Sequence, residues 1–429
     1  GGPCPATLAQ RPFDPGFSAS TRNTKAGAYR PFDMHIGRPD GEQELKRVNV
    51  KLPPGMSAKL AGVGYCPEGS IAALSGRTGA EELASPLCPA GSLVGRVAIK
   101  AGSGPSPYNG DGKVYFAGPY KGAPVSLVFV TPAVAGPYDL GVVAVRAALN
   151  VDSETAVVTA VSDPIPNVFG GVKLDVRSIG VSIDRQGYTV NPTTCRGPFA
   201  VDGGIFGGGG NPASPAAWNE VARNQPFRAS NCKALKFEPK FFARILGGEN
   251  KTNRRANPKF RAVLQGQNGD ANLRRAAFIL PRATILDQSH IKTICTRVQL
   301  AARNCPKGSV YGHARATSPL LDGVLKGRVH LISSDNELPD LLVDLRGQVD
   351  IQLRGVISST NGRLKTVFRS TPDVPVRQFT LVMKGGNRGL LVNTRDLCDR
   401  KQFGVLNLKA QNSRQMKTKR LRLNTPACR

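Results

Sequence analysis

Residues 88–95, CPAGSLVG, recur as residues 305–312, CPKGSVYG, and the shared Cys-Pro-x-Gly-Ser segment sets a register between two parts of the chain. The match extends upstream, where residues 40–53 correspond to residues 268–281. Self-similarity over so long a period indicates that one structural unit has been duplicated in tandem. The offset between the copies drifts along the chain, as insertions and deletions in loops would make it.

The nine cysteines follow the same register. Those at 4, 66, 88, 195 and 232 map onto those at 232, 295, 305, 398 and 428. If both copies bond alike, the pairs are Cys66–Cys88, Cys195–Cys232, Cys295–Cys305 and Cys398–Cys428. Wide spacing without a Cys-x-x-Cys motif disfavours zinc and predicts structural disulfides formed in an oxidising compartment.

Cys4 is left without a partner in this scheme. Because it occupies the closing position of a unit, we expect it to bond to a preceding unit or to a neighbouring molecule; a free thiol near the terminus is the alternative. The domain organisation predicted from the register is a connecting segment at 1–28, a first unit at 29–232 and a second unit at 233–429. Because the sequence begins and ends at equivalent positions of the repeat, we also expect units to assemble head to tail.

Within each unit the periodicity is mostly that of strands. Residues 363–369, RLKTVFR, alternate between an apolar and a basic face, which is typical of a half-buried strand. The preceding Asn361-Gly362 is a strong signal for a type I′ hairpin turn. Short helices are predicted at 67–74 and 291–303, each beside a predicted disulfide. The predicted fold is therefore all-β with minor α, built from tandem duplicated β-sandwich (Ig-like) modules with short disulfide-stapled helices.

Charge is distributed unequally between the copies. The 429 residues include 58 Lys+Arg and 30 Asp+Glu, a net charge of +28, of which residues 1–232 carry +4 and residues 233–429 carry +24. A shared fold does not need this difference, so it reflects what the surfaces do. The candidate clusters for binding a polyanion are Lys251, Arg254, Arg255 and Lys259; Arg363, Lys365 and Arg369; and Arg414, Lys417, Lys419, Arg420 and Arg422.

Two interpretations of this charge stay open. The basic surface either maintains solubility or binds an acidic polymer such as teichoic acid, acidic polysaccharide, extracellular DNA or an acidic neighbouring subunit. Sequence-specific nucleic-acid recognition is disfavoured, because no helix-turn-helix, zinc-finger or RRM signature is present. The sequence also contains no apolar stretch near the ~20 residues needed to span a bilayer.

The sequence offers no constellation for catalysis, a metal or a cofactor. None of the four histidines, His35, His290, His313 and His330, stands near a Gly-x-Ser-x-Gly elbow. Glu337, Asp340 and Asp344 are a weak candidate for a glycosidase carboxylate pair. Residues 109–112, NGDG, predict a turn more than a calcium loop. The glycine run at 203–210 predicts a flexible surface insertion more than a phosphate-binding loop. We therefore expect a protein that is not an enzyme.

The first copy also resembles a known kind of module. Residues 26–29 (AGAY), 40–43 (DGEQ), 52–55 (LPPG) and 118–124 (GPYKGAP) are similar to a repeated module of large secreted, cell-surface proteins of high-GC Gram-positive bacteria. The second copy departs from it, with Arg282-Ala283 in place of Pro54-Gly55. The resemblance implies an extracellular, tandemly repeated surface protein and brings no catalytic residues with it.

These observations predict an extracellular structural or interaction protein, a repeat segment of a surface rod, fibre or filament whose partners are further copies of itself or neighbouring units. The alternative hypothesis is an adhesin that binds an anionic glycan or another polyanion.

Overall fold

The computed structural model describes residues 5–246 and 251–428, so the prediction for Cys4 lies outside the described residues. The chain divides into two compact units. The first comprises the described residues up to Val151 together with Val157–Ser230, and the second comprises Asp152–Ala156 and the described residues from Asn231 onward. The main division, after Ser230, falls two residues before the predicted one.

The first unit contains fifteen strands. They are β1 (Gly16–Thr21), β2 (Phe32–Gly37), β3 (Leu45–Lys51), β4 (Ser57–Ala58), β5 (Leu93–Ala101), β6 (Tyr108–Ala117), β7 (Val125–Ala135), β8 (Tyr138–Val151), β9 (Val158–Ser162), β10 (Val168–Phe169), β11 (Val172–Lys173), β12 (Val176–Ile183), β13 (Thr189–Val190), β14 (Phe199–Gly207) and β15 (Asn219–Phe227). Eleven form one sheet in the order β1-β2-β12-β5-β6-β7-β8-β9-β3-β14-β15, and β4 with β13 and β10 with β11 form two-stranded pairs.

The second unit repeats this topology. Its strands are β16 (Lys240–Leu246), β17 (Lys259–Gln265), β18 (Leu273–Ile279), β19 (Thr284–Leu286), β20 (Val310–Thr317), β21 (Leu325–Ile332), β22 (Asp340–Arg346), β23 (Ile351–Thr360), β24 (Arg363–Phe368), β25 (Gln378–Met383), β26 (Leu391–Asn393), β27 (Gln402–Ala410) and β28 (Gln415–Asn424). The order β16-β17-β25-β20-β21-β22-β23-β24-β18-β27-β28 matches the first unit strand for strand. Parallel pairing of Ala243 with Leu423 and of Arg244 with Asn424 closes this second sheet on itself.

The predicted all-β, duplicated architecture is confirmed. The layout differs from an Ig-like sandwich in one respect, because the eleven main strands of each unit are hydrogen-bonded into one continuous sheet instead of being divided between two. The period-two pattern cannot distinguish these layouts, since both bury one face of each strand.

The predicted connecting segment, in its described part 5–28, contains a strand of the first unit's sheet. This strand, β1, pairs along its whole length with β2, from Gly16 opposite Gly37 to Thr21 opposite Phe32. The equivalent strand β16 pairs with β17 in the second unit. The sequence correspondence between these segments therefore reflects the first strand of each unit.

Short helices and disulfides brace both sheets. Helix α1 (Glu68–Ala73) follows Cys66, and the Cys66–Cys88 bond packs with Leu74 on Tyr115 and Val130. Sequence analysis did not predict α2 (Gly79–Ala84), which Thr78 caps. Helix α3 (Arg297–Ala301) is shorter than the predicted 291–303 and lies within the Cys295–Cys305 loop. Cys398 is bonded to Cys428, and Cys195 and Cys232 are also disulfide-bonded.

Two glycine-containing segments form strands where sequence analysis predicted irregular structure. Gly203, Gly204 and Gly207 lie within β14, between β3 and β15. A Cβ atom on Gly203 would stand 3.0 Å from the ring of Phe17, so this glycine makes room for an aromatic side chain. Residues 109–112 likewise belong to β6, paired with β5. The prediction of a flexible insertion at 203–210 is therefore wrong for 203–207, and the turn at 109–112 is a strand.

Candidate functional site

Four adjacent strands of the second unit carry an unusual charge pattern. Strands β24, β18, β27 and β28 are neighbours in the sheet and together contain nine basic residues and no acidic one. The basic residues are Arg274, Arg275, Arg363, Lys365, Lys409, Lys417, Lys419, Arg420 and Arg422. We call the outer surface of these four strands the basic face. It brings together the two predicted clusters on β24 and β28, which are at least 45 positions apart in sequence.

The register of the strands fixes which side chains lie on the basic face. On β27, Leu406 and Leu408 are buried in the core, so their alternate neighbours Asn407 and Lys409 point outward. On β28, Lys417, Lys419, Arg420 and Arg422 are all exposed. Three strand spacings separate β24 from β28, or about 14 Å. The clusters can therefore contact one extended anionic chain.

A bulge explains why two consecutive residues of β28 are both exposed. Strict alternation would turn one of Lys419 and Arg420 inward. The register instead shifts between Gly404 and Leu406 of β27, so that β28 carries an extra residue here and presents both cations. The Arg420 guanidinium lies 4.6 Å from the centre of the Phe403 ring, which holds it against the sheet.

Like charges also stand directly opposite one another on this face. Arg275 of β18 is paired with Lys409 of β27, two basic residues that sequence analysis did not single out. A like-charged cross-strand pair is destabilising. Among the described residues, the ion pairs of the second unit involve none of the nine cations of the basic face. The face therefore keeps its positive charge at a cost to folding.

Arg363 differs from the other predicted binding residues. It is half-buried, and its Nε and Nη2 donate to the backbone oxygens of Leu280 at 2.8 Å and Phe403 at 3.1 Å. Burial, with repulsion from Arg282, lowers the pKa of its guanidinium. Arg363 thus fastens neighbouring strands. Lys365 is half-buried on the outer side of β24, and Arg369 is exposed just beyond its end.

The third predicted cluster does not lie on these strands. Arg254 and Arg255 are exposed in the segment before β17, where the Arg255 backbone N–H donates to the Asn393 backbone oxygen at 2.8 Å. The structure therefore does not add these two residues to the basic face.

The equivalent strands of the first unit have mixed charge. Strands β9, β3, β14 and β15 contain four basic and two acidic residues, Lys46, Arg47, Lys51, Arg223, Asp202 and Glu220. Lys46 pairs with Glu44 at 3.7 Å, and Arg47 lies 5.2 Å from the ring centre of Trp218. The same topology thus forms with a surplus of two cations where the second unit has nine, so the fold does not require the charge of the basic face.

The histidines occupy structural positions. His35 Nε2 lies 2.9 Å from Ser178 Oγ, and His290 Nδ1 lies 2.8 Å from the Gly389 backbone oxygen. Burial of its ring, with repulsion from Lys384 and Arg328, lowers the pKa of His313. His290 Nδ1 also lies 3.7 Å from Asp287, but Ser289 Oγ donates to that carboxylate, so the histidine does not stand between serine and carboxylate as it does in a catalytic triad.

Ser309 and His330 are hydrogen-bonded but sealed from solvent. Ser309 Oγ donates to the Pro306 backbone oxygen at 2.7 Å and lies 2.8 Å from His330 Nδ1, and Ser309 is fully buried. In the first unit Ser92 donates to the Pro89 oxygen in the same way. The repeated serine therefore stabilises a turn in both units. Its hydroxyl proton is donated to a backbone oxygen and not to a histidine.

The buried His330 makes stability depend on pH. Burial lowers its pKa below the ordinary 6.5. The unfolded chain therefore binds a proton at a pH where the folded chain does not, and acid favours unfolding. We expect the free energy of unfolding of the second unit to be constant above about pH 6.5 and to fall as the pH drops below it. Denaturant titrations between pH 7.5 and 5.5 measure this.

The variant His330→Tyr, which copies the equivalent Tyr115 of the first unit, should make that dependence shallower and leave the part that His313 contributes through its own lowered pKa. His35→Gln changes an exposed histidine and should leave it intact. An equal slope in His330→Tyr and the unmodified protein would contradict the assignment.

The carboxylates considered for glycoside hydrolysis are not brought together. Asp340 is buried and accepts from Arg354 Nε at 2.8 Å, and Asp344 accepts from Arg346 Nε at 2.9 Å. Four residues along β22 place them about 13 Å apart, beyond the separation that either glycosidase geometry uses. Glu337 is exposed in the preceding loop. Within residues 5–246 and 251–428, no group of three or more His, Cys, Asp or Glu is placed to hold a metal ion.

The fold and this face define a tandem, disulfide-bonded all-β protein with one strongly basic surface. In the described part of the chain, no helix has the length and apolar character to cross a membrane. No protein-family model matches the chain, and no curated protein matches it.

Among solved structures, the chain is similar to the partial N-terminal region of the enterococcal surface protein, with 7% identity, 95% of this chain and 94% of that chain covered, and a TM-score of 0.18. It is also similar to a chain in the structure of the Sputnik virophage, with 9% identity, 95% and 89% covered, and a TM-score of 0.13. Likenesses at these scores carry no argument about fold or function.

Proposed function

We propose that this is an extracellular repeat protein with a structural and adhesive role, whose second unit binds an anionic polymer through the basic face. The observation that carries the proposal is the presence of nine cations and no carboxylate on four adjacent strands whose first-unit equivalents have mixed charge. A polymer with regularly spaced anionic groups would neutralise several of these cations at once and release its counterions.

The disulfides support the extracellular part of the proposal. Both units contain a short helix fastened by a disulfide, and a disulfide-rich fold is typical of proteins that mature in an oxidising compartment. A binding role is favoured over a catalytic one, because Asp340 and Asp344 are each hydrogen-bonded to an arginine and Ser309 is fully buried. Assembly of such units into a rod or filament, with further copies as partners, stays a prediction.

The proposal is tested by binding to dextran sulfate, with uncharged dextran of the same length as the control. We expect binding to dextran sulfate only, with an affinity that falls linearly with salt on logarithmic scales. If three or more anionic groups are contacted, the loss between 50 and 200 mM salt should be about 50-fold or greater. Equal retention on dextran, or affinity that does not change with salt, would refute the polyanion proposal.

A further inference from the structure

The interior of the first unit's sheet contains a cavity of about 150 Å³. Its walls come from eight strands, β2, β3, β5, β6, β7, β8, β9 and β12. Representative lining residues are Met34, Val48, Val97, Val143 and Ile179. The cavity thus lies in the middle of the unit, on the side of the sheet that forms its core.

The lining is almost entirely apolar, and no charged side chain contributes to it in the described chain. Three polar side chains, those of Tyr108, Thr131 and Ser162, lie at its wall. The Ser162 hydroxyl donates to the Asp163 backbone oxygen at 2.9 Å, and the Tyr108 hydroxyl donates to the Val134 backbone oxygen at 2.7 Å. Water entering this space would find few partners, so the cavity favours an apolar occupant.

Several wall residues are incompletely covered. Ile99, Val143, Val145 and Ile179 face the interior but are only half-buried. Large apolar side chains on the inner side of a sheet are normally fully buried, because each gains by losing contact with water. The exposed fraction of these four side chains shows that the space beside them is not filled by other side chains.

The second unit carries larger side chains at two of the positions that line this cavity. The paired registers place Phe278 of β18 at the position of Val50, and Phe379 of β25 at the position of Ile179. The Phe278 ring stacks on Phe260, with 5.9 Å between centres, and lies 5.4 Å from Phe241. Both substituted positions line the cavity of the first unit. The first unit therefore carries smaller side chains at two positions where the fold accepts phenylalanine.

We propose that this cavity is a binding site for a small, uncharged, apolar molecule about the size of a benzene ring. An apolar cavity of about 150 Å³ stays dry and accepts benzene or xenon, which matches both the volume and the lining found here. The site is separate from the basic face, and its test is independent of any polyanion.

The probe is benzene, added to the full chain, with thermal unfolding and amide NMR shifts as readouts. A ligand that binds only the folded state raises the melting temperature. At about ten times its dissociation constant, benzene should raise the transition of the first unit by about 3 °C. The shifted amides should lie on strands that line the cavity.

Val50→Phe and Ile179→Phe copy Phe278 and Phe379 and should each abolish the rise and the shifts. Because two separate variants are made, the test can still be carried out if one of them fails to fold. The reciprocal Phe278→Val should create new benzene binding in the second unit. Equal effects of benzene on the original and the filled proteins, or no effect on the original protein, would overturn the proposal.

Discussion

Replacing Lys419, Arg420 and Arg422 together by glutamate is expected to lower the affinity for dextran sulfate by about 100-fold at 50 mM salt. All three are exposed on β28, and Lys419 and Arg420 are both presented by the bulge. Each reversal removes one attractive charge and adds a repulsive one. The slope of affinity against salt should also become shallower, because fewer counterions are released. Isothermal titration at several salt concentrations measures both effects.

The matched control reverses three exposed lysines of the first unit, Lys51, Lys59 and Lys100. Both triple variants lower the net charge of +28 by the same amount. If the basic face is the site, the control should lose less than about 5-fold, through the general field alone. Equal losses in the two variants would show that total charge, and not this face, determines binding.

The duplication could be predicted because its signals are local in sequence. Both copies keep the Cys-Pro-x-Gly-Ser segment and the order of the cysteines. The segment forms the same serine-stabilised turn in each unit, and the cysteines form equivalent disulfides. The hairpin at Asn361-Gly362 is another such signal, and the structure gives both residues positive φ, 49° and 69°. These features depend on a few neighbouring residues, so the sequence alone was sufficient to predict them.

The closure of the sheet could not be predicted in this way. It depends on β16 meeting β28 through two residue pairs, and these strands lie about 180 positions apart. The glycines of β14 were misassigned for a similar reason. A Cβ atom would meet the Phe17 ring at Gly203 and the Phe13 ring at Gly207, and a run of glycines predicts flexibility until the side chains that need the space are known. Helix α2 is a different case, since the capping box from Thr78 to Glu81 is visible in the sequence and is by itself a signal for the start of a helix.

The candidate site was predicted in part. Alternation placed Lys365 on an outer face, and the abundance of cations near the end of the chain identified β28. The strand order that joins them, the bulge at Lys419 and Arg420, and the contributions of Arg275 and Lys409 follow only from the paired registers. Arg363 is the reverse case. Its charge and position in the sequence predict a polyanion-binding residue, whereas its hydrogen bonds to two backbone oxygens give it a structural role.

Replacing Gly95 by alanine is expected to destabilise the first unit by about 3 kcal/mol. Gly95 ends the repeated segment 88–95 and lies on β5 beside β12. A Cβ atom there would collide with the Ser182 backbone oxygen and stand 3.0 Å from the Ile183 Cα atom. Both contacts are with backbone, which cannot move aside as a flexible side chain could. The strands would have to separate locally, and their hydrogen bonds would weaken.

The equivalent Gly312 of the second unit meets the same obstacle, because its Cβ would collide with the Val382 backbone oxygen. Gly312→Ala should therefore destabilise the second unit by a similar amount, which explains why the repeat keeps glycine at both positions. Gly118→Ala is the control, since no atom lies within 4 Å of its Cβ position, and it should change stability by less than about 1 kcal/mol. Denaturant unfolding followed by circular dichroism distinguishes the three variants. Unfolding of Gly95→Ala and Gly118→Ala at the same denaturant concentration would contradict the prediction. It would show that the close approach of β5 and β12 does not require glycine at position 95.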